Sequence, residues 1–385
     1  MSETRDQSER FRVLVVGGGV AALESVIALR QLAADRVQIT LLAPEEQFVV
    51  RHSAVSAAFG TTAQRSYPLE RIAAELSVTH LADRFKWIDS GNHQVHTGGG
   101  AQLTYDALIL AMGARQRPRF HHALTLDTAR MADQLKGLLD AIDRGLVRST
   151  AFIVPSQPSW PLPIYELALL TAERAAHHGV DLKITLVTPE DAPLAVLGEA
   201  ASRAIAQLLE DQHIEVLSAQ HCQVHEPGFV TLHPSTTELR VDGVVALPEL
   251  YGPSTPGIPT TALRGFLSVD RHCAVRGIPR VYAAGDATDR PIKHGSIAAQ
   301  QADAAAGAIA HLAGAPIDPV PVQEFMHALL LSSEQPVFIR AQLAGDHGAL
   351  SEVSRTPLWQ PPNKLHAHYL SPFLDELDRN GAASA

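Results

Sequence analysis

The sequence predicts an α/β protein: two doubly wound units on parallel sheets, followed by a smaller α+β domain. Three observations predict it. The first is a strand, Val13-Leu14-Val15-Val16, that passes through Gly17-Gly18-Gly19 into an apolar helix over residues 21–32 and then a second strand from Val37 to Leu42. The second is a repeat of that strand–helix–strand order between residues 119 and 255. The third is a late return to it: Val281-Tyr282-Ala283-Ala284-Gly285-Asp286, then an Ala-rich helix over residues 295–312. The first unit is therefore discontinuous, residues 10–118 with 256–315; the second is 119–255, and residues 316–385 form a C-terminal cap or interface domain.

The opening turn carries the chemistry. In Gly17-x-Gly19-x-x-Ala22, Gly17 allows a tight reversal, Gly19 lets backbone approach a pyrophosphate, and the small Ala22 lets helix lie close on strand. The phosphates then face the helix start at Val20 and Ala21, where unpaired N–H groups and the helix dipole favour negative charge. This is a Rossmann-like βαβ unit. Its second strand is expected to end in an acid for a ribose hydroxyl; here the register gives Ala43, with Glu45 and Glu46 just beyond, either of them within reach of the ribose.

The intervening chain reads as a helix over residues 69–76, an antiparallel run over 85–103 with glycine turns at Gly91 and Gly98-Gly99-Gly100, and a buried strand ending at Ala111-Met112-Gly113. In the second unit, strands at 151–154 and 183–187 alternate with helices at 164–178 and 199–212. Its first turn, residues 155–163, holds four prolines and Trp160 where a phosphate turn needs glycine. Proline removes backbone donors and stiffens φ, so this turn does not cradle phosphate. The last helix is expected over residues 363–377.

Composition excludes several classes. With 385 residues, 46% hydrophobic and 19% charged, the chain is globular and long enough for two or three domains. Basic residues number 31 against 41 acidic, a net charge of −10 that argues against a nucleic-acid partner. The polar first ten residues lack the apolar core of a signal peptide, and no apolar run approaches the ~18 residues of a spanning helix. A cytoplasmic location without stable membrane insertion is expected. The two cysteines, Cys222 and Cys273, give neither a disulfide framework nor a CxxC pair, and Cys222 lacks the neighbours of a metal site. The adjacent pairs His121-His122 and His177-His178, and His366-x-His368, are expected on the surface.

Three elements in fixed order, residues 17–22, 105–114 and 281–286, resemble the flavoproteins with two dinucleotide-binding domains, the pyridine nucleotide-disulfide reductase superfamily. Within it the chain looks most like the sulfide:quinone reductases, flavocytochrome c sulfide dehydrogenases and type II NADH:quinone reductases. The resemblance covers about residues 10–315. It implies FAD, held by Gly17, Gly19, Val20, Ala21 and Ala22 at the pyrophosphate, Glu45 at the ribose, Arg51 at a phosphate and the Phe85 backbone at adenine. Ala111-Met112-Gly113 matches the Ala-Thr-Gly turn with Met112 in place of Thr, and Gly285-Asp286 matches the Gly-Asp pair that holds a ribitol hydroxyl. Lys293-His294-Gly295 matches the start of the helix that faces the flavin, which makes Lys293 and His294 catalytic candidates. Glu166, in a helix start that points at the flavin in relatives, is the candidate for proton handling.

The departures shape the expected reaction. Where disulfide reductases carry redox cysteines, this chain has Arg51-His52-Ser53. The resemblance therefore implies an FAD-dependent oxidoreductase that exchanges electrons with a small organic substrate or quinone without a cysteine relay. The alternatives are an NAD(P)H-dependent reductase acting on a quinone or redox partner, and a flavin-binding protein without catalysis. Trp359, Tyr369 and Phe373 are assigned to a homodimer interface or to a cover over the flavin site.

Overall fold

The computed structural model describes residues 10–50, 54–60, 65–127, 130–155, 160–331, 335–344 and 347–383. The first sheet is built from β1 (Phe11–Val16), β2 (Val37–Leu42), β3 (Thr79–Leu81) and β4 (Ala107–Leu110). The second follows in the chain: β5 (Leu124–Thr125), β6 (Ser149–Ile153), β7 (Lys183–Val187), β8 (Glu215–Leu217) and β9 (Gly243–Ala246). β10 (Val281–Ala283) then returns to complete the first sheet, in the order β10-β4-β1-β2-β3 with every neighbour parallel. The second sheet runs β5-β9-β6-β7-β8, also parallel throughout. Their strands are short apolar runs because parallel strands are covered on both faces.

Helix α1 (Val20–Ala33) lies on the first sheet beside α5 (Gly295–Leu312). Both turn small side chains to the contact, Ala21, Ala28, Ala298, Ala302 and Ala305 among them, which lets the two backbones approach closely within one buried cluster. In the second unit, α2 (Met131–Asp143), α3 (Leu162–His177) and α4 (Glu199–Asp211) bury Leu135, Leu139, Leu167 and Ile205 with Phe152 and Leu186 of the sheet. The units are linked by antiparallel pairing of Arg115–Arg117 with Glu249–Tyr251. The predicted antiparallel run at 85–103 is a three-stranded meander, Phe85–Asp89, Gln94–Thr97 and Gln102–Thr104.

The C-terminal domain is an antiparallel sheet, β11 (Phe325–Leu330), β12 (Val337–Ala344) and β13 (His347–Ser354), and a helix, α6 (Leu370–Ala383). The sequence places the start of this helix at 363; the structure starts it at Leu370. Residues 363–369 are instead an irregular strap that ends in a turn, for a physical reason. Ser371 Oγ donates to the Leu365 carbonyl at 3.0 Å, Lys364 is drawn to Glu166, and Glu24 of α1 caps α6 by accepting from Tyr369 N at 2.9 Å and Leu370 N at 2.5 Å. Trp359, assigned to an interface or cover, is buried inside this domain against Phe338, ring centroids 5.1 Å apart; Tyr369 and Phe373 lie half-buried on the α1 core.

Candidate active site

The carboxyl ends of the parallel strands β1, β2, β4 and β10 lie at one edge of the first sheet, and the strand order reverses at β1, the place where sheets of this kind open a binding crevice. Gly17 N donates to the Leu42 carbonyl at 2.9 Å, Ala111 N to the Val16 carbonyl at 2.8 Å, and Ala284 N to the Leu110 carbonyl at 3.1 Å. Gly17 has φ +125, and a Cβ there would sit 2.3 Å from the Ala111 carbonyl oxygen, so only glycine fits. The first glycine turn and the Ala111-Met112-Gly113 turn are thus in direct contact. Glu45, exposed on the loop after β2, places Oε2 3.3 Å from where a Gly18 Cβ would be. Gly19 faces open space with no atom within 4 Å of such a Cβ, and no side chain caps the N-terminus of α1 behind it. That combination of free amides and empty volume suits a phosphate.

Gly285 closes the crevice from the other side. Its φ is +73, and a Cβ would meet Ala21 Cβ at 3.1 Å and Ala298 Cβ at 3.4 Å, which joins the starts of α1 and α5 to the Gly285-Asp286 turn. Gln301, buried in α5, accepts from Gly285 N at 2.8 Å and holds this turn in place. Gln301 was not singled out from the sequence, although the Gln300-Gln301 pair is a polar interruption of an Ala-rich helix. Lys293 is buried, donates to the Thr288 carbonyl at 2.5 Å and lies 4.0 Å from the centre of the Phe266 ring. Burial pulls its pKa down to about 8, against the attraction of Asp286 and Asp289. His294 caps α5: its Nδ1 accepts from Ser296 N at 3.2 Å, and its ring meets Trp160 edge-on at 5.0 Å. The indole of the proline-filled turn therefore reaches the start of the helix assigned to the flavin.

Glu166 lies in the first turns of α3, only 1% exposed. Its Oε1 is 2.5 Å from Lys364 Nζ and accepts from Leu331 N at 3.2 Å. Desolvation pushes its pKa up, and the Lys364 ammonium opposes that. Next to Lys364, Leu365 Cδ1 stands 2.9 Å from where a Gly295 Cβ would be, so the strap covers the start of α5. Nothing local to Glu166 points to Lys364 as its partner, because 198 residues separate the pair.

Phe85 opens the meander, paired with Thr97 and packed against the apolar cluster on the far side of the first sheet, as Met112 is. Arg51 lies outside the described residues. His366, expected on the surface, is instead half-buried 4.1 Å from the His327 ring, and burial lowers the pKa of both. Cys222 is half-buried and Cys273 buried, and burial raises each thiol to about 12, leaving both unreactive at neutral pH. Among the described residues no cluster of His, Cys, Asp or Glu could hold a metal ion.

Two dinucleotide-type sheets, a glycine cradle and a Gly-Asp turn at a shared helix pair define an FAD-dependent oxidoreductase of the two-domain class. The chain belongs to the pyridine nucleotide-disulphide oxidoreductase family, which it matches over residues 11–140 and 166–302. It is 25% identical over 295 residues to an NADH dehydrogenase-like protein of Mycobacterium tuberculosis, covering 71% of this chain and 72% of that one. The sulfide-quinone reductase of Aquifex aeolicus is 24% identical over 255 residues, 63% of this chain and 59% of that protein. The solved sulfide:quinone oxidoreductase of that bacterium superimposes with a TM-score of 0.80 at 19% identity, covering 90% and 87% of the two chains. The cofactor is FAD, and the cradle residues fit it.

Proposed function

We propose that this FAD-dependent oxidoreductase passes electrons between its flavin and a quinone or another small organic substrate, with no cysteine relay. The observation that carries this reading is the position of the two thiols: Cys273 lies inside the first core and Cys222 on the strand His221–Glu226 of the second unit, each held protonated by burial. The names of the relatives, sulfide-quinone reductase and alternative NAD(P)H-ubiquinone oxidoreductase, support a quinone as the partner. Bound FAD supplies the two-electron chemistry. The chain supplies position and protons. Gly17, Gly19, Val20, Ala21 and Ala22 carry the pyrophosphate, Glu45 the ribose, and Asp286 a ribitol hydroxyl. The start of α5 at Lys293, His294 and Gly295 faces the ring, and its dipole favours negative charge there. Glu166 with Lys364 forms a buried carboxylate–ammonium pair that holds or yields a proton at the covered side of that helix.

The proline-filled turn argues against nicotinamide entry at the expected place, since Pro155, Pro161 and Pro163 offer no N–H. Anaerobic protein mixed with NADH or NADPH is expected to keep its flavin absorbance for minutes, and dithionite-reduced protein to re-oxidise faster with a soluble quinone than in buffer. Rapid bleaching by either nicotinamide would establish the reductase reading instead. The double variant Cys222→Ser/Cys273→Ser is expected to keep turnover with the quinone within about twofold, because neither thiol enters the reaction.

Lys293 gives this reading a pH signature. Its ammonium is the charged form below about 8, so a rate that depends on that charge falls as pH rises through about 8. Lys293→Met is expected to remove that limb from the pH profile of kcat while the FAD content stays near one per chain.

A further inference from the structure

Between α1 and α5 lies an acid pair, one member buried and the other partly exposed at a cavity, that the electron-transfer reading does not use. Glu24 of α1 is wholly buried, and Asp303 of α5 faces it. Glu24 accepts from Tyr369 N and Leu370 N, so its carboxylate is the anionic cap of α6. No donor among the described residues reaches the buried Asp303 Oδ1. Two like charges this close, one of them wholly buried, disfavour each other, and desolvation raises the pKa of both acids, which favours one shared proton. Burial raises the pKa of Glu24 too, but the N–H groups of Tyr369 and Leu370 oppose that at Glu24 alone, which places the shared proton on the Asp303 side, donated to Glu24.

Asp303 also forms one wall of a cavity of about 400 Å³, with Gln300 of α5, Phe325 and His327 of β11, Arg340 of β12, and His366 and His368 of the strap. One side of that cavity is the strap itself. The groups facing the pair are therefore few. His368 Nδ1 stands 4.0 Å from Asp303 Oδ2, with its side chain 71% exposed and screened by water. Tyr369 lies beside both carboxyls, His327 and His366 face across the cavity as neutral rings at pH 7, and Arg340 is paired with Glu352 at 2.7 Å.

We propose that Glu24 and Asp303 form a proton-operated latch: one shared proton docks the start of α6 and holds the 363–369 strap over the cavity and over the start of α5, and loss of that proton loosens the strap. Closing the strap binds a proton, because the docked site holds Asp303 neutral up to about 8, far above an exposed aspartate. The closed form is hence fully favoured below about pH 4, loses about tenfold per pH unit as pH rises, and reaches its floor above about 8. Loosening frees Lys364 from Glu166 and opens the cavity on the strap side, so access would be greater at alkaline pH.

Hydrogen exchange of the FAD-loaded protein between pH 5.5 and 8 tests this, with each amide corrected for its intrinsic rate and the α1 amides as internal standard. The expected result is that protection of the α6 amides falls as pH rises, by up to about tenfold per unit, while α1 protection stays level. Asp303→Asn, an isosteric donor that cannot ionise, is expected to hold α6 protected at every pH. If that variant does not fold, Glu24→Gln decides: it lacks the anionic cap and the like-charge pair, so α6 protection is lower and flat. A flat wild-type profile, or the wild-type slope retained in either variant, would overturn the latch.

Discussion

Gly19→Val is expected to yield a folded, colourless protein. No atom lies within 4 Å of where its Cβ would be, and its φ of −95 is open to any residue, so the fold tolerates the side chain. The volume it fills is the one proposed above for the pyrophosphate, in front of the uncapped amides of α1. Loss of close backbone approach and of those charge-assisted hydrogen bonds is worth about 3 kcal/mol or more, on the order of a 100-fold weaker Kd for FAD. Titration of apoprotein with FAD, read by flavin fluorescence, measures it, and thermal melting of the apoprotein should match wild type. Gly17→Ala contrasts with it. Its Cβ would strike the Ala111 carbonyl at 2.3 Å, so that variant loses stability as well as cofactor. Equal FAD affinity in Gly19→Val and wild type would remove the cradle from this turn.

Lys364→Met is expected to destabilise the protein by about 3–5 kcal/mol at pH 7, because it leaves the Glu166 carboxylate buried with a single N–H from Leu331. The loss has a definite pH dependence. Without the ammonium, the Glu166 pKa in the folded protein rises further above its ordinary value, so the folded state binds the extra proton and stability is recovered as pH falls. Glu166→Gln/Lys364→Met removes the orphaned charge and should restore most of the stability while turnover stays low. Urea midpoints at pH 5 and pH 7 for the three variants decide it; a double variant no more stable than Lys364→Met would mean that the pair is not the source of the loss.

What the sequence made legible follows distance along the chain. Gly17, Gly19 and Ala22 announce themselves because a turn is local: one strand, one reversal and one helix within a dozen residues. Gly285-Asp286 and the helix at Gly295 were equally readable. Their contact with Ala21 was not, since it arises only when β10 inserts beside β4. Glu166 stood out as an acid near a helix start, yet its partner Lys364 belongs to a strap that reads as helix from periodicity alone. The strap is not helical because side chains and a distant carboxylate claim its backbone, a tertiary effect that no local propensity records. His366 was misplaced for the same reason. Glu24 and Asp303 were overlooked, though an acid within an otherwise apolar helix face is the kind of residue that needs a partner.

The interrupted first sheet also sets a timetable for synthesis. β1, β2 and β4 are complete by residue 110, but β10, the Gly285 turn and α5 arrive only after residue 281, once the whole second unit has left the ribosome. The second unit closes its own sheet within residues 124–246 and can collapse as an insert while the first waits with an unpaired edge at β4. Cofactor capture is thereby placed late in the life of the nascent chain. A chain truncated before residue 281 should leave β4 as an exposed edge and present an aggregation-prone sheet in place of a holoenzyme.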